Sequence, residues 1–405
     1  MKILIINSFY YPNLIGGAEH SVKNLAETLM KRGHEVNILC TGEEDNESYI
    51  EGVKVYRIKN VNIKSALEYM ESNNNKLSKL IYRTLDLYGH TNYKKIQDII
   101  NKVKPDIAHV NNFPGFGLNL FKQLSQNNIP IVFTARDYYS VCMNAKLINS
   151  NGNICDSTSK LCDVYRSINK SMIKYVDYIT APSNFTISLL RNNVGIESSK
   201  SKCIYNSIDI DLDKIDNLFN NKKNINNDKN ELDVVFLGRL DSYKGIDLLI
   251  ENILSLNDEF VNLHIAGEGP LQQDILELSN KNSNIHYYGK LNKQELELLL
   301  SKSDILAAPS KWNEPFGRIV LDAYKHCMPV ISTGKGGLGE LIINNETGYI
   351  LDFEDKDKFK KVLFKYKDKE LLDYQMLNCK NEVLKYSNEY IVNQYEEIYN
   401  RLIKF

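Results

Sequence analysis

Two carboxylates, Glu314 and Asp322, lie eight positions apart in the stretch KWNEPFGRIVLDAYKHCMPVIS (311–332). Pro315 suits the first position of a helix, because its missing N–H group would be unpaired there anyway. A helix that begins there would point three backbone N–H groups outward at its positive end. They belong to Phe316, Gly317 and Arg318. Such a helix end attracts phosphate groups, so this stretch predicts an anion-binding element.

The spacing of the two acids also indicates how long a ligand that contacts both of them would be. Eight helical residues span about 12 Å, and both acids can serve one side of the helix. That span fits a sugar nucleotide, with the sugar at Glu314, the phosphates at the helix start and the ribose at Asp322. The alternative interpretation is a charged helix face exposed to solvent.

Two other loops carry chemistry of the same kind. In GRLDSYKG (238–245), Arg239 and Lys244 follow the apolar run LDVVFL, so both lie on a predicted strand-to-helix loop. Arginine supplies planar donors and lysine a point charge, and together they can bind a diphosphate. The glycine-rich GKGGLGELI (334–342) follows MPVIST and predicts a second ligand-facing loop. Each loop alone also fits solvated charges or a tight turn, but three such elements together favour a function.

Composition restricts the class of protein. The chain has 405 residues, 43% hydrophobic and 25% charged, with a formal net charge of −1. This length predicts two domains, and the balanced charge gives no indication of nucleic-acid binding. No run approaches the roughly 18 apolar residues of a membrane span, and the apolar start MKILIINSFYYP is too short for a signal peptide. Seven scattered cysteines favour a reducing cytoplasm.

Strand and helix patterns alternate along the chain, which predicts parallel sheets. The first half, residues 1–215, begins with the unit KILIINSF (2–9), a helix over 18–33 and HEVNILC (34–40). Residues 216–231 are rich in Asn and Lys, lack an apolar period and predict a linker. A second series follows over 232–385. The fold class is therefore α/β, with two doubly wound Rossmann-like domains facing a central cleft, where ligands bind beyond the carboxyl ends of the strands.

Residues 386–405 are predicted to form a C-terminal helix that returns to the N-terminal domain. Its apolar spacing is visible at Ile391, Tyr395, Ile398 and Leu402.

The motifs of the second half occur in an order and spacing that match a known family. They are Gly238-Arg239, Lys244-Gly245, Gly267-Glu268-Gly269-Pro270, Pro309-Ser310, Glu314-Pro315-Phe316-Gly317, Asp322 and Gly336-Gly337-Leu338-Gly339-Glu340. In this respect the chain resembles the donor domain of retaining glycosyltransferases of family four, which have the GT-B fold. The family usually has Glu at the position of Asp322, one methylene longer.

The resemblance implies roles for these residues. Arg239 and Lys244 would hold the donor diphosphate, and Glu314 would contact sugar hydroxyls near the anomeric carbon. The remaining donor contacts would come from residues at the helix start, the ribose position and the loop that holds the base. They are Phe316, Gly317, Arg318, Ile319, Asp322, Lys290 and Leu291.

The N-terminal half matches the family more loosely. PNLIGGAEHSVKNLAETLMKRGHEV (12–36) resembles the family's opening, where the loop at Gly16-Gly17 lines the cleft near the phosphates and the acceptor, so Gly17 would be a binding residue. TARDYYSVC (134–142) matches a segment in which many relatives carry His before Asp, whereas this chain has Arg136 before Asp137. By resemblance Arg136 and Asp137 would face the sugar or the acceptor. The alternative is a salt-bridged loop pair.

We therefore predict a glycosyltransferase that transfers a sugar from a nucleoside-diphosphate sugar with retention of anomeric configuration, in the synthesis of cell-surface polysaccharide or glycolipid. The donor would be a UDP-sugar, or alternatively a GDP-sugar, and the acceptor a saccharide or lipid-linked saccharide. We expect no metal and no tightly bound cofactor. A nucleotide-sugar epimerase of similar fold and a non-catalytic nucleotide-sugar sensor are the alternatives.

Two features each allow two interpretations, one for the location of the protein and one for the role of its cysteines. The basic, apolar stretch 76–104 is typical of a solvated amphipathic helix, but it could also rest on the inner face of an anionic membrane. We accordingly predict a cytoplasmic protein with or without such peripheral contact. Cys142, Cys155 and Cys162 are either reduced structural thiols or a zinc site.

Overall fold

The computed structural model describes residues 1–13, 16–59, 92–149, 154–155, 159–256 and 260–404. Contacts divide the chain into two compact units. The first unit comprises residues 1–147, 155–207 and 388–405. The second unit comprises residues 148–154 and 208–387. The chain therefore passes from the first unit to the second and returns at its end.

The first unit is built on a mainly parallel sheet in the order β3-β4-β2-β1-β5-β6-β7-β8. Its strands are β1 (Lys2–Ile6), β2 (Glu35–Gly42), β3 (Asn46–Ile50), β4 (Val53–Lys59), β5 (Ile107–Val110), β6 (Ile131–Thr134), β7 (Tyr178–Ala181) and β8 (Ser201–Cys203). Only the pairing of β3 with β4 is antiparallel within this described sheet. The helices between strands are α1 (Gly17–Lys31), α2 (Tyr93–Val103), α3 (Asn119–Gln126), α4 (Lys160–Ile173) and α5 (Asn184–Val194).

Strand β1 shows why this sheet lies in the centre of the unit. Its residues from Ile3 to Ile6 are all fully buried, as expected for a parallel strand covered on both faces. Ile3 pairs with Val36 on β2 and with Ile107 on β5. The continuous aliphatic run therefore encodes a central strand directly.

The C-terminal helix (Asn388–Ile403) belongs to the first unit, as predicted. Its apolar face joins the core around α1 and β1, and Val392 and Tyr399 are fully buried there. At the rim, the guanidinium of Arg32 donates hydrogen bonds to the carboxylates of Glu389 and Glu396. Apolar burial and these ion pairs hold the end of the chain on the unit in which it began.

The second unit contains a parallel sheet in the order β11-β10-β9-β12-β13-β14. Its strands are β9 (Leu232–Leu237), β10 (Val261–Ala266), β11 (Ile285–Tyr287), β12 (Ile305–Ala308), β13 (Val330–Ser332) and β14 (Gly348–Ile350). Its helices are α6 (Leu212–Asp228), α7 (Ile246–Ser255), α8 (Gln272–Lys281), α9 (Lys293–Lys302), α10 (Arg318–Lys325), α11 (Lys356–Lys365) and α12 (Lys369–Glu382). The predicted α/β class with two Rossmann-like domains is confirmed.

The linker predicted over 216–231 is wrong, because most of that segment lies in α6. Asp211 caps this helix by accepting a hydrogen bond from the backbone N–H of Lys214. Ile215 is buried, and Lys222, seven residues later on the same face, donates from Nζ to the carbonyls of Leu300 and Ser303. The apolar stem of a lysine thus takes a core position that the hydrophobic pattern did not mark.

Three short strands, β3, β4 and β14, were also missed by the sequence analysis. They are mixed in polarity or only a few residues long, so their pattern is weak. Of the amphipathic stretch 76–104, residues 76–91 lie outside the described residues, and α2 forms most of the remainder. Across the described part of the chain, no helix is both long and apolar enough to cross a membrane.

Candidate functional site

A pocket of about 160 Å³ lies at the carboxyl ends of the neighbouring strands β9 and β12 in the second unit. This is the edge at which parallel α/β sheets bind ligands. The pocket includes five of the residues predicted from sequence. They are Lys244, Glu314, Gly317, Arg318 and Ile319.

Lys244 and Glu314 form an ion pair in this pocket, although 70 positions separate them in the chain. Nζ of Lys244 donates to Oε1 of Glu314 at 2.6 Å, and the two side chains are 21% and 13% exposed. Partial burial strengthens the attraction relative to a surface pair. The pair presents one cation and one carboxylate to the same small volume, which suits a ligand with both phosphate and hydroxyl groups.

Two aromatic rings enclose the ammonium group of Lys244. It lies 4.8 Å from the ring centroid of Trp312 and 5.8 Å from that of Tyr243. The two rings meet edge to face at 5.9 Å. Backbone N–H groups of Lys311 and Trp312 both donate to the carbonyl of Tyr243. The loop that carries Lys244 and the loop that leads to Glu314 are therefore bound to each other.

Glycines allow the backbones around the pair to approach closely. Gly245 has φ +75°, and a Cβ atom there would lie 2.0 Å from the carbonyl oxygen of Pro309. A Cβ atom at Gly336 would lie 2.4 Å from the carbonyl oxygen of Glu314, which also accepts a hydrogen bond from Gly337 N–H. The glycine-rich loop thus fixes the backbone of Glu314 in place.

The predicted helix start is wrong by three residues. Helix α10 begins at Arg318, with Gly317 as its N-terminal cap at φ +107°. Pro315 therefore does not occupy the first helical position, and Glu314 lies outside the helix. Phe316 is buried at 4% exposure. The first turn of α10, whose N–H groups have no carbonyl partner within the helix, consequently begins at Arg318 and not at Phe316, because the left-handed Gly317 redirects the chain.

Asp322 lies one turn into α10 and is half-buried. Burial raises the pKa of its carboxyl group, while Arg318 and Lys325 act in the opposite direction. Asp322 is not among the residues that line the pocket between β9 and β12. The predicted span between Glu314 and Asp322 assumed that both acids lie on one helix. It no longer applies, because only Asp322 is in α10.

Arg239, Lys290 and Leu291 also lie outside the lining of this pocket. The Arg239 side chain is 59% exposed, with Nε 3.6 Å from Oδ2 of Asp241. Lys290 and Leu291 connect β11 to α9 on the same edge of the sheet, and the Lys290 side chain is 78% exposed. All three extend from strand ends that neighbour the pocket, so they remain candidates for the outer parts of a long ligand.

In the first unit, the predicted residues form a separate polar cluster at the carboxyl ends of its strands. Arg136 follows β6, and its Nε donates to Oδ1 of Asn111 at 2.7 Å while Nη1 donates to Oδ1 of Asn206 at 2.5 Å. Asp137 is half-buried and accepts from the backbone N–H of Tyr139. Gly17 is the first residue of α1.

Glu19 belongs to the same cluster, although sequence reasoning assigned it no role. It is 4% exposed, and its Oε2 accepts from the backbone N–H of Gly16 at 2.9 Å. Burial raises the pKa of this carboxyl group, and Asp137 raises it further while Arg136 lowers it. Asn111, Asn206 and Glu19 come from distant segments, so only their positions after parallel strands could have indicated them.

A buried hydrogen-bonded layer supports Arg136. His109 bonds Tyr399 Oη through Nδ1 at 2.6 Å and Thr134 Oγ1 through Nε2 at 2.7 Å. Burial lowers the pKa of His109 strongly, and the charge of Arg136 lowers it further, so the ring is neutral. Tyr395 of the C-terminal helix lies beside it, 4.9 Å between ring centroids. The end of the chain therefore helps to build this edge of the first unit.

A zinc site at Cys142, Cys155 and Cys162 was one of the two interpretations of these cysteines. Among the described residues, no three His, Cys, Asp or Glu side chains come close enough to hold a metal ion. Cys142 and Cys162 are half-buried and Cys155 is exposed, and none of these three described cysteines forms a disulfide.

Comparison with known proteins gives matches over both units. The family model Glycosyltransferase Family 4 matches residues 15–212, and Glycosyl transferases group 1 matches residues 219–380. An uncharacterized 42.6 kDa protein from the cps region of Klebsiella pneumoniae is 31% identical over 347 residues, which are 84% of this chain and 87% of that protein. An uncharacterized glycosyltransferase of Methanocaldococcus jannaschii is 25% identical over 358 residues, 86% of this chain and 84% of that protein.

Solved structures agree in fold across nearly the whole chain. The sucrose-phosphate synthase of Thermosynechococcus elongatus aligns with a TM-score of 0.72 at 17% identity and covers 99% of both chains. The Anabaena protein HepE, solved in complex with UDP, aligns with a TM-score of 0.70 at 16% identity, covering 99% of this chain and 100% of that chain. With the two family models and the Klebsiella relative, these findings show that the chain belongs to glycosyltransferase family four and has the GT-B fold.

Proposed function

We propose that this glycosyltransferase transfers a sugar from a nucleoside-diphosphate sugar to an acceptor hydroxyl with retention of anomeric configuration. The observation that carries the proposal is the ion pair of Lys244 with Glu314 beside the start of α10. A cation and the backbone N–H groups at a helix start can hold a diphosphate, and the adjacent carboxylate can accept hydrogen bonds from sugar hydroxyls.

The chemistry follows from where charge develops. When the bond between the sugar and the β-phosphate breaks, negative charge grows on the departing phosphate. Lys244, the N–H groups at Arg318 and Ile319, and Arg239 after rotation of its exposed side chain would stabilise that charge. Protein cations and a helix end then do what a metal ion does in other transferases, so we propose that no metal is required.

Retention is best explained by attack from the face of the leaving group. In that route the acceptor hydroxyl gives its proton to the departing phosphate, and the new glycosidic bond forms on the same face as the bond that breaks. The alternative, a double displacement, needs a carboxylate nucleophile at the anomeric carbon. Among the described residues that line the pocket, Glu314 is the one carboxylate, and we assign it to the hydroxyl groups of the sugar, so no further carboxylate is left there to act as the nucleophile.

The relatives help to choose the substrates. Two of them are proteins of a cps region, which supports a role in surface polysaccharide synthesis with a saccharide or lipid-linked saccharide as acceptor. HepE was solved with UDP and with UDP-glucose, which supports a UDP-sugar as the donor. Asp322 would then bind the ribose, and the loop at Lys290 and Leu291 the base.

The test combines binding, transfer and stereochemistry. We expect UDP and UDP-sugars to raise the melting temperature of the purified chain more than GDP- or ADP-sugars, because a ligand at 100 times its Kd stabilises by about 2.7 kcal/mol. Transfer to saccharide acceptors should persist in excess EDTA, and NMR of the first-formed product should show the donor's anomeric configuration. An inverted product, or complete loss of activity in EDTA that Mg²⁺ restores, would contradict the mechanism. An altered free UDP-sugar formed without acceptor would identify an epimerase instead.

A further inference from the structure

The stretch KFKKVLFKYK (358–367), in α11 and the turn after it, carries five lysines and no acid in ten residues. The whole chain, in contrast, has a formal net charge of −1. Phe359, Val362, Leu363 and Tyr366 are buried, so they attach this stretch to the core of the second unit. All five lysines are exposed. They form one positively charged surface, which we call the basic face.

Most lysines of the basic face lack an acidic partner within the described residues. In that part of the chain, no ion pair with an N···O separation of 4.0 Å or less involves Lys358, Lys360, Lys361 or Lys365. Other exposed lysines do have such partners. Lys356, at the start of the same helix, pairs with Glu251, and Lys95 of the first unit pairs with Asp45. The described residues therefore do not neutralise the charge of the basic face.

The helix dipole explains only part of this arrangement. Asp355 caps α11, Asp357 lies in its first turn and Lys365 lies in its last turn, as the dipole favours. The effect of the dipole falls off within one turn of each end. Lys360 and Lys361 lie in the middle of the helix, so they need another explanation. They serve either solubility or a partner.

Aromatic rings on the basic face argue against solubility alone. Nζ of Lys367 lies 4.5 Å from the ring centroid of Phe364 and 4.6 Å from that of Phe260. Nζ of Lys360 lies 5.6 Å from the Phe364 centroid. The two half-buried rings stack with their centroids 6.1 Å apart. Lysines beside partly exposed phenylalanine rings are typical of helices that rest on a membrane surface.

We propose that the basic face binds an anionic lipid surface. A planar layer of phosphate headgroups can contact these lysines together, because they extend from the outside of one helix over about 15 Å. Clusters of about four to eight basic residues on an amphipathic helix are typical of such binding. The proposal goes beyond sugar transfer and does not depend on it. Its consequence for a lipid-linked acceptor is that enzyme and acceptor meet at the same surface.

Vesicle sedimentation tests the proposal with defined lipids. The probes are vesicles of phosphatidylcholine alone and vesicles in which about one third of the lipid is anionic phosphatidylglycerol. The wild-type chain should bind the anionic vesicles more tightly by about tenfold or more. Raising the salt from about 0.15 M to about 1 M should release it, because the screening length falls from about 8 Å to about 3 Å.

A triple variant locates the contact on α11. Lys360→Gln, Lys361→Gln and Lys365→Gln together should weaken binding to anionic vesicles about a hundredfold, since each lysine near such a surface contributes a factor of about five. Arginine at the same three positions keeps the charge and should retain the binding.

The control variant removes the same charge from three other helices. It carries Gln in place of the exposed lysines Lys122, Lys281 and Lys302, which lie on α3, α8 and α9. These positions do not belong to one helix face, so vesicle binding should be nearly unchanged. The substituted side chains are exposed in every variant, and the melting temperature should therefore stay that of the wild-type chain.

Three outcomes would overturn the proposal. They are equal binding of both kinds of vesicle by the wild-type chain, undiminished binding by the triple Gln variant, and an equal loss in the control variant. Duplex DNA is the competing probe. If the wild-type chain binds it as tightly as the anionic vesicles and the triple variant loses both, the basic face is a general polyanion site and the membrane proposal is wrong.

Binding of UDP is measured separately on the same variants. It should be unchanged, because none of the substituted lysines lines the pocket that contains Lys244. Failure of vesicle binding and failure of the proposed function are therefore distinguishable.

Discussion

The two units place a cation at the same kind of position, after a parallel strand, but compensate it differently. Lys244 of the second unit forms a 2.6 Å ion pair with a carboxylate at an open pocket. Arg136 of the first unit is buried and held by two amides. A paired cation can exchange its carboxylate for a diphosphate and return to it after product release. A cation held by amides keeps a fixed direction, because both amide oxygens lie in its own unit.

This difference assigns different tasks to the two sites. In the proposed mechanism the second unit responds to charge that appears during the reaction, because Lys244 would move from Glu314 to the departing phosphate. The first unit instead fixes the direction of Arg136 with two amides, which suits the positioning of neighbouring groups. Variants of Lys244 should therefore lower kcat, and variants of Arg136 should chiefly disturb its hydrogen bonds to Asn111 and Asn206.

The largest effect is expected for the diphosphate contacts. Lys244→Ala should lower turnover by two or more orders of magnitude without unfolding the protein, because it removes stabilisation of charge that grows in the transition state. We expect Arg239→Ala to lower turnover by a similar factor. Lys311→Ala is the control, since Lys311 pairs with Asp247 on an adjacent exposed surface. Near-normal turnover in both site variants would show that the diphosphate binds elsewhere.

Glu314→Gln should lower kcat about a hundredfold and change KM much less, because the lost negative charge lies beside a sugar that becomes positively charged. The ion pair adds a second expectation. UDP alone should bind the variant at least as tightly as the wild-type chain, since Lys244 is no longer neutralised. Steady-state kinetics and a UDP titration measure both quantities. Weaker binding of UDP would mean that Glu314 orients Lys244 more than it neutralises it.

Asp322→Ala should raise the donor KM and the Kd of free UDP by about ten- to a hundredfold, because it removes charged hydrogen bonds to the ribose. Asp322→Glu, which restores the residue usual in the family, should bind UDP as well as the parent or slightly better. The measurement is calorimetric titration of UDP. If Asp322→Ala leaves UDP affinity untouched, Asp322 is only a charge on the face of α10.

Trp312→Leu should lower kcat/KM two- to fivefold, since the ring contact of Lys244 contributes about 0.5–1 kcal/mol. Tyr49→Leu is the control, because it removes a similar contact with Lys54 in the first unit. Trp312 is the single tryptophan of the chain, so UDP binding should also change the intrinsic fluorescence. A variant as active as the wild-type chain would show that the Trp312 ring does not help to position Lys244.

The smallest effect at neutral pH concerns His326, at the C-terminal end of α10. Burial lowers its pKa from 6.5 to about 4, so the folded protein binds fewer protons than the unfolded chain between these values. Stability from this residue is complete above pH 6.5 and is lost as the pH falls toward 4. In urea unfolding, the free energy of unfolding of His326→Gln should therefore fall less over that pH range than that of the wild-type chain. Equal losses of unfolding free energy in the variant and the wild-type chain would contradict the lowered pKa of His326.

The sequence by itself determined the fold class, the order of the main strands and the motif residues of the second unit. Aliphatic runs such as Ile3 to Ile6 predict buried parallel strands, because a strand with aliphatic side chains on both faces must be shielded from water on both faces. Glu314, Gly317 and Lys244 could be found because each stands in a short motif of fixed spacing. The local pattern failed at α6, where Lys222 occupies a core position, and at α10, where Gly317 delays the helix start.

Only the tertiary structure decided which side chains meet. The ion pair of Lys244 with Glu314 depends on β9 and β12 being neighbours, and no local pattern specifies that pairing. The cluster at Arg136 depends even more on which strands are neighbours in the sheet. Asn111, Arg136 and Asn206 follow β5, β6 and β8, and they converge because parallel strands bring their carboxyl ends to one edge of the sheet. Spacing along a chain cannot encode such convergence, since the distances are set by strand order.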